Sequence, residues 1–170
     1  MTSALIAVSA ITVLAGCSDM DKSEPETRPV KKAIESAAGL SSQILDIIAL
    51  RGKVSEPSPG PDPCGGRDFK KYYRVYHAWS LYDAPVPDME RAMKRLKGEL
   101  PKRGWKIVSY GPDSSKARSL ELTADHPEKK FSVVITLQDR RGRSEDPSMI
   151  EVDVNSSCFQ VPDGQSVRDG

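Results

Sequence analysis

The chain has 170 residues, 38% of them hydrophobic and 29% charged, with 13 prolines and 12 glycines, which fits one modest globular domain with non-globular segments and argues against a multidomain enzyme. Lysine and arginine total 25 against 24 acids, a net charge of +1, so the electrostatic case for a nucleic-acid partner fails. The one long apolar stretch, residues 2–16, is shorter than the roughly 20 residues that a membrane-spanning helix requires.

Residues 1–16, MTSALIAVSAITVLAG, have the short apolar core and small-residue ending of an export signal peptide. Leu14, Ala15 and Gly16 stand directly before Cys17. This run resembles the lipobox of bacterial lipoproteins, and the resemblance covers the first 17 residues. It implies cleavage before Cys17, a diacylglyceryl group on its thiol, and an extracytoplasmic protein with the membrane as its first partner. Two acyl chains anchor stably at about 0.8 kcal/mol per buried CH₂, where one chain is marginal. No Lys or Arg precedes Lys22, a departure from the basic start of a signal that would place the true start upstream of Met1.

With Cys17 lipidated, Cys64 and Cys158 remain, an even number in an oxidising compartment, and they are expected to pair. A metal site or a reactive thiol is the competing reading. Neither cysteine has a nearby second ligand and CxxC is absent, so no metal is expected.

Residues 17–30 are rich in Ser, Asp, Glu, Lys and Pro, too polar to offset ordering entropy, and read as a lipidated tether. Residues 31–53 read as an N-terminal helix. Ile34, Ala37, Ala38, Ser41, Ile44, Leu45 and Ile48 form its apolar stripe, and Gly52 follows as its stop. Residues 54–66, VSEPSPGPDPCGG, carry four prolines and three glycines and read as a loop.

The expected folded unit is 67–162, followed by a tail at 163–170. In residues 72–82, Tyr73, Val75, His77, Trp79 and Leu81 alternate on one face of a strand. Asp88 then precedes a helix with Met89, Ala92, Met93, Leu96 and Leu100 on one stripe and Gly104 as its stop. Four further strands are expected at 105–110, 117–125, 130–138 and 149–159. The parity of the last one turns Cys158 toward the same side as Ile150, Val152 and Val154. The result is an α+β fold in two layers: an antiparallel sheet of about five strands with one helix packed on it, plus the N-terminal helix.

Chemistry is sparse. His77 falls mid-strand and His126 in a turn before Pro127, neither at ligand spacing, and GxGxxG, GxSxG, SxxK and phosphate-loop patterns are absent. Asp125 with Glu151 is the one carboxylate pair worth naming, although solvated strand residues explain both. No catalytic residue and no cofactor are assigned. Asn155-Ser156-Ser157 matches a glycosylation acceptor, a pattern that a bacterial lipobox makes irrelevant. The aromatics Tyr72, Tyr76 and Tyr82 share the strand face opposite Tyr73 and Trp79, so one of the two sets is open to a partner.

Charge is uneven. Residues 67–111 hold 11 basic and 5 acidic side chains. Arg91, Lys94, Arg95, Lys97, Lys102 and Arg103 form a candidate surface for anionic headgroups or a cell-wall polymer, against the ordinary reading of a solvated helix face. The tether, the N-terminal helix, the Pro/Gly loop and residues 79–115, WSLYDAPVPDMERAMKRLKGELPKRGWKIVSYGPDSS, are similar to uncharacterised lipoproteins of Gram-positive bacteria, LppA-like, a likeness that implies a lipid-anchored exported protein and transfers no catalytic residue. The expected function is a non-catalytic binding module at the cell envelope, for a protein or polymer partner. The rivals are an accessory subunit docking through residues 31–50 and an exported hydrolase.

Overall fold

The computed structural model describes residues 24–55 and 57–169. In chain order these form β1 (Glu26–Thr27), α1 (Val30–Ile48), β2 (Lys53–Val54), β3 (Gly60–Pro63), β4 (Tyr72–Tyr82), α2 (Val86–Glu99, prolonged by a 3₁₀ turn Leu100–Arg103), β5 (Lys106–Pro112), β6 (Leu120–His126), β7 (Phe131–Gln138), β8 (Met149–Ser156), β9 (Phe159–Gln160) and a 3₁₀ turn at Val167–Asp169. The signal segment, Cys17 and the start of the tether lie outside the described residues.

The five expected strands are present as β4 to β8, and the fold is α+β. The sheet is larger than expected: nine strands in a curled sheet, in the order β1-β9-β4-β8-β7-β6-β5, with β2 and β3 on the other edge of β4. All pairs are antiparallel except β1 with β9. The α2 crossover carries the chain to the far edge as β5, and three hairpin steps bring β8 back to β4, where Tyr76 faces Asn155 and Tyr82 faces Met149.

Two helices, not one, cover the sheet. Contacts of α1 run to β4, β8 and α2, while α2 lies over β7 and β8, so both share one layer. From α1 come the buried Val30, Ala33, Ala37, Leu40, Ile44, Ile47 and Ile48, and from α2 Val86, Met89, Ala92, Met93 and Leu96. They meet the inward residues Val75 and Leu81 of β4, Ile150, Val152 and Val154 of β8, and Val133 and Ile135 of β7. Each large aliphatic chain so buried contributes about 1.5–3 kcal/mol.

The stop of α1 differs from expectation. Ala49 takes the left-handed conformation (φ 46°) and donates its N–H to the Leu45 carbonyl at 3.0 Å. Gly52 serves a different need, because a Cβ there would sit 2.5 Å from the Tyr82 carbonyl oxygen. Gly104 does terminate the second helix, at φ 87°, with its N–H directed to the Leu100 and Pro101 carbonyls.

The 54–66 segment is not wholly a loop. Residues 60–63, GPDP, form an edge strand on β4 with Asp62 opposite Arg74, and their side chains pair at 2.5 Å. Pro61 and Pro63 share one parity, so their missing N–H groups fall on the same side of the strand, and Gly60 and Asp62 are left to carry the ladder. Parity also fails at Cys158. The buried alternation of β8 ends at Ser156, and Phe159 and Val161 are the next buried positions. An irregular step at residues 157–158, with Ser157 N–H bonded to the Lys130 carbonyl, inverts the faces and leaves Cys158 half-buried. Nor does the 163–170 segment hang free throughout: Val167 is buried and its N–H meets the Lys70 carbonyl at 3.1 Å.

Candidate functional site

Cys64 and Cys158 form a disulfide, with Cα atoms 5.9 Å apart across a sequence separation of 94. β3 and β9 both pair with Tyr73 of β4, from opposite edges, so the bond joins the two strands that flank the start of β4.

The six cations do not form one free surface. The Arg95 guanidinium reaches under the end of α1, Nε donating to the Ile47 carbonyl at 2.7 Å and a terminal N–H to that of Ile48. This caps orphan carbonyls and complements the negative helix end. Arg103 donates to the Gln43 carbonyl at 3.4 Å. Arg91 pairs with Asp88, Lys102 with Glu99 at 2.7 Å, and the Lys97 ammonium sits 4.6 Å from the Tyr110 ring centroid. Lys94 alone among the six is exposed with no side-chain partner among the described residues.

Lys94 borders a cleft of about 300 Å³ that sequence reading missed. Arg118, from the β5–β6 loop, and Arg143, from the β7–β8 loop, converge there with Glu90 and Asp139 over the aliphatic Leu120 and Leu137. Nothing in the sequence spacing joins positions 94, 118 and 143. Only the pairing of Leu120 with Leu137 brings the two loops to one end of the sheet.

Both histidines act inside the fold. The Pro57 carbonyl can only accept, so His77 Nε2 carries the proton and donates to it at 2.9 Å. His77 Nδ1 is then free to accept from the Ser41 hydroxyl at 2.8 Å. The ring therefore latches α1 and the β2–β3 connection to β4. His126 is the last residue of β6, not a turn residue. It is buried edge-on to Trp105 with centroids 5.3 Å apart, and burial lowers its pKa.

On the sheet face away from the helices, register defines rows. Ser80, Glu151, Thr136 and Glu121 form one, and Ala78, Asp153, Val134 and Thr123 the next. Tyr76, 42% exposed, donates its hydroxyl to Asp153 at 2.5 Å, which raises its pKa to about 12. Asp125 lies in the row of Ser132 and Asn155, two strands and two same-face positions from Glu151. Strand spacing puts their Cα atoms about 16 Å apart, so the structure does not bring this pair together.

Among the described residues no group of His, Cys, Asp and Glu is placed to hold a metal, and no helix is long and apolar enough to cross a membrane. No family model, curated protein or solved structure matches the chain.

Proposed function

We propose that this is an exported lipoprotein, anchored through a diacylglyceryl group on Cys17, that works without catalysis as a binding module for another protein of the cell envelope. The disulfide supports the oxidising compartment, since such bonds persist there and are rare in the cytosol. Its working surface in this reading is the sheet face opposite the helices. The observation that carries it is the placement of Glu121 and Glu151 on either side of Thr136, with Asp153 one row away. Arg74 on that face is already paired with Asp62. A basic protein surface is the complementary partner, because opposite potentials steer encounter and fix register.

The docking-helix alternative must use the polar side of α1, since its apolar stripe is covered by the protein's own sheet.

Two measurements test the proposal. Metabolic labelling with an alkyne fatty acid should mark the full-length protein and be lost in Cys17→Ala. Binding of a lysine-rich peptide should weaken with salt and fall at least tenfold in the Glu121→Gln, Glu151→Gln, Asp153→Asn triple variant. An unlabelled wild-type protein refutes the anchor, and unchanged peptide affinity refutes the surface.

A further inference from the structure

The cleft beside Lys94 is assembled from parts that ordinary folding does not require. Three cations reach it from three elements, and two of them stand on loops that are internally fastened. In the β5–β6 loop, Asp113 Oδ1 accepts from the Ser115 N–H, the Ser115 hydroxyl and the Ser119 N–H at 2.7–3.1 Å. This set, led by the Ser115 hydroxyl, holds the Asp113 carboxyl below its usual pKa. Arg118 follows with φ 53°, a left-handed backbone that a long side chain seldom adopts, fixed by its N–H to the Ser115 carbonyl and its guanidinium to the Asp113 carbonyl, both at 3.1 Å. In the β7–β8 loop, Asp139 is gripped by the Arg141 side chain at 2.7 and 2.9 Å, and the Arg143 N–H closes on the Arg140 carbonyl at 3.0 Å. The ordering of both loops thus precedes any ligand, which removes a main entropic penalty of binding.

The charges then select the ligand. Asp139 is neutralised by Arg141, whose guanidinium holds its carboxyl at about 2. Lys94, Arg118 and Arg143 remain, with Glu90 in the field of Arg141, Asp113 beside Arg118, and Arg143 also acting on Asp139. This leaves the cleft net positive by one charge, the sign that the near −2 charge of a phosphate monoester at neutral pH requires. Guanidinium forks suit phosphate oxygens. Glu90 offers an acceptor for a hydroxyl or ammonium group, and Leu120 and Leu137 a floor for a short carbon skeleton. We propose that this cleft binds a phosphate ester of a small polyol or amino alcohol, a chemistry shared by soluble metabolites and phospholipid headgroups. The site is independent of the sheet-face reading.

The test is an amide NMR titration of the oxidised protein with glycerol 3-phosphate at low salt, beside co-sedimentation with phosphatidylglycerol or phosphatidylcholine vesicles. Saturable shifts should centre on residues 94, 118–120 and 143. The dissociation constant should rise about tenfold in Lys94→Ala and in Arg143→Ala, and stay unchanged in Lys116→Ala, an exposed neighbour outside the cleft. Cleft-dependent binding of phosphatidylglycerol vesicles identifies the headgroup as the source, and cleft-dependent binding of the free ester alone identifies a soluble one. Shifts spread over all basic residues, or equal losses in Lys116→Ala, overturn the proposal. Far-ultraviolet dichroism of each variant separates lost binding from lost folding.

Discussion

Arg95 shows how a single side chain can leave one role for another. Read along the helix it belongs to a basic face, yet its guanidinium is turned beneath α1, where it satisfies the carbonyls of Ile47 and Ile48. Hydrogen bonds from a charged group to part-buried acceptors contribute about 1.5–3 kcal/mol. Arg95→Ala should therefore lower unfolding stability by about 2 kcal/mol in urea, and Arg95→Lys should recover only part of it, since an ammonium cannot reproduce the fork. Lys94→Ala, with no partner to lose, should stay within about 0.5 kcal/mol of the parent. A second prediction concerns alkali. Tyr76 is raised to about 12 by its bond to Asp153, and Tyr73 to about 12 by burial. Both favour the neutral phenol in the folded state, so their stabilisation is complete below the ordinary value of 10 and is lost as pH climbs from 10 through 12. Absorbance at 295 nm should show Tyr73 and Tyr76 titrating last, after Tyr110, which burial also raises, and Tyr76→Phe should remove one of these two final steps.

At the scale of elements, the helix layer is where burial concentrates. Leu40 and Ile44 of α1 are fully buried against the sheet, and Leu40→Ala should cost about 2–5 kcal/mol, depending on how far the site collapses. A loss below 1 kcal/mol in a thermal melt would mean that α1 is docked only loosely. These elements were legible because their periods are clean. Met89, Ala92, Met93 and Leu96 repeat at helical spacing, and Ile150, Val152 and Val154 alternate. The residues 60–63, GPDP, were not legible as a strand, since their conformation comes from the neighbouring β4 and not from propensity. Cys158 was misplaced because parity counting assumes an unbroken strand, and the irregular step after Ser156 lies in no residue type. The cleft cations were invisible for a related reason: loops 113–119 and 139–148 meet only through the β6–β7 register.

For the whole molecule, the Cys64–Cys158 bond sets the scale of stability. It was legible from the count of cysteines, while its position across β4 was not. Closing so long a loop restricts the unfolded chain by roughly 4–5 kcal/mol in the entropy model. Reduction, or Cys64→Ser with Cys158→Ser, should lower the urea midpoint accordingly. Protection from hydrogen exchange should fall first in β3 and at Tyr73 to Tyr76, its partners in β4. Equal protection before and after reduction would show that the edge strand holds without the cross-link.

The first ladder of the chain has a mechanical meaning. β1 lies beside β9, and the adjoining Arg28 stacks over Phe159 at 4.1 Å, donates its N–H to the Gln160 carbonyl at 2.8 Å and accepts from the Tyr73 hydroxyl at 2.7 Å. If the molecule is tethered at its N terminus as proposed, any tug arriving through that leash meets β1 first and Arg28 next. It passes into β9 and, one residue away, into the covalent crosspiece at Cys158. Force would thus travel around the hydrophobic interior, sparing α1 from being peeled off its sheet each time the bilayer and the bound partner pull apart.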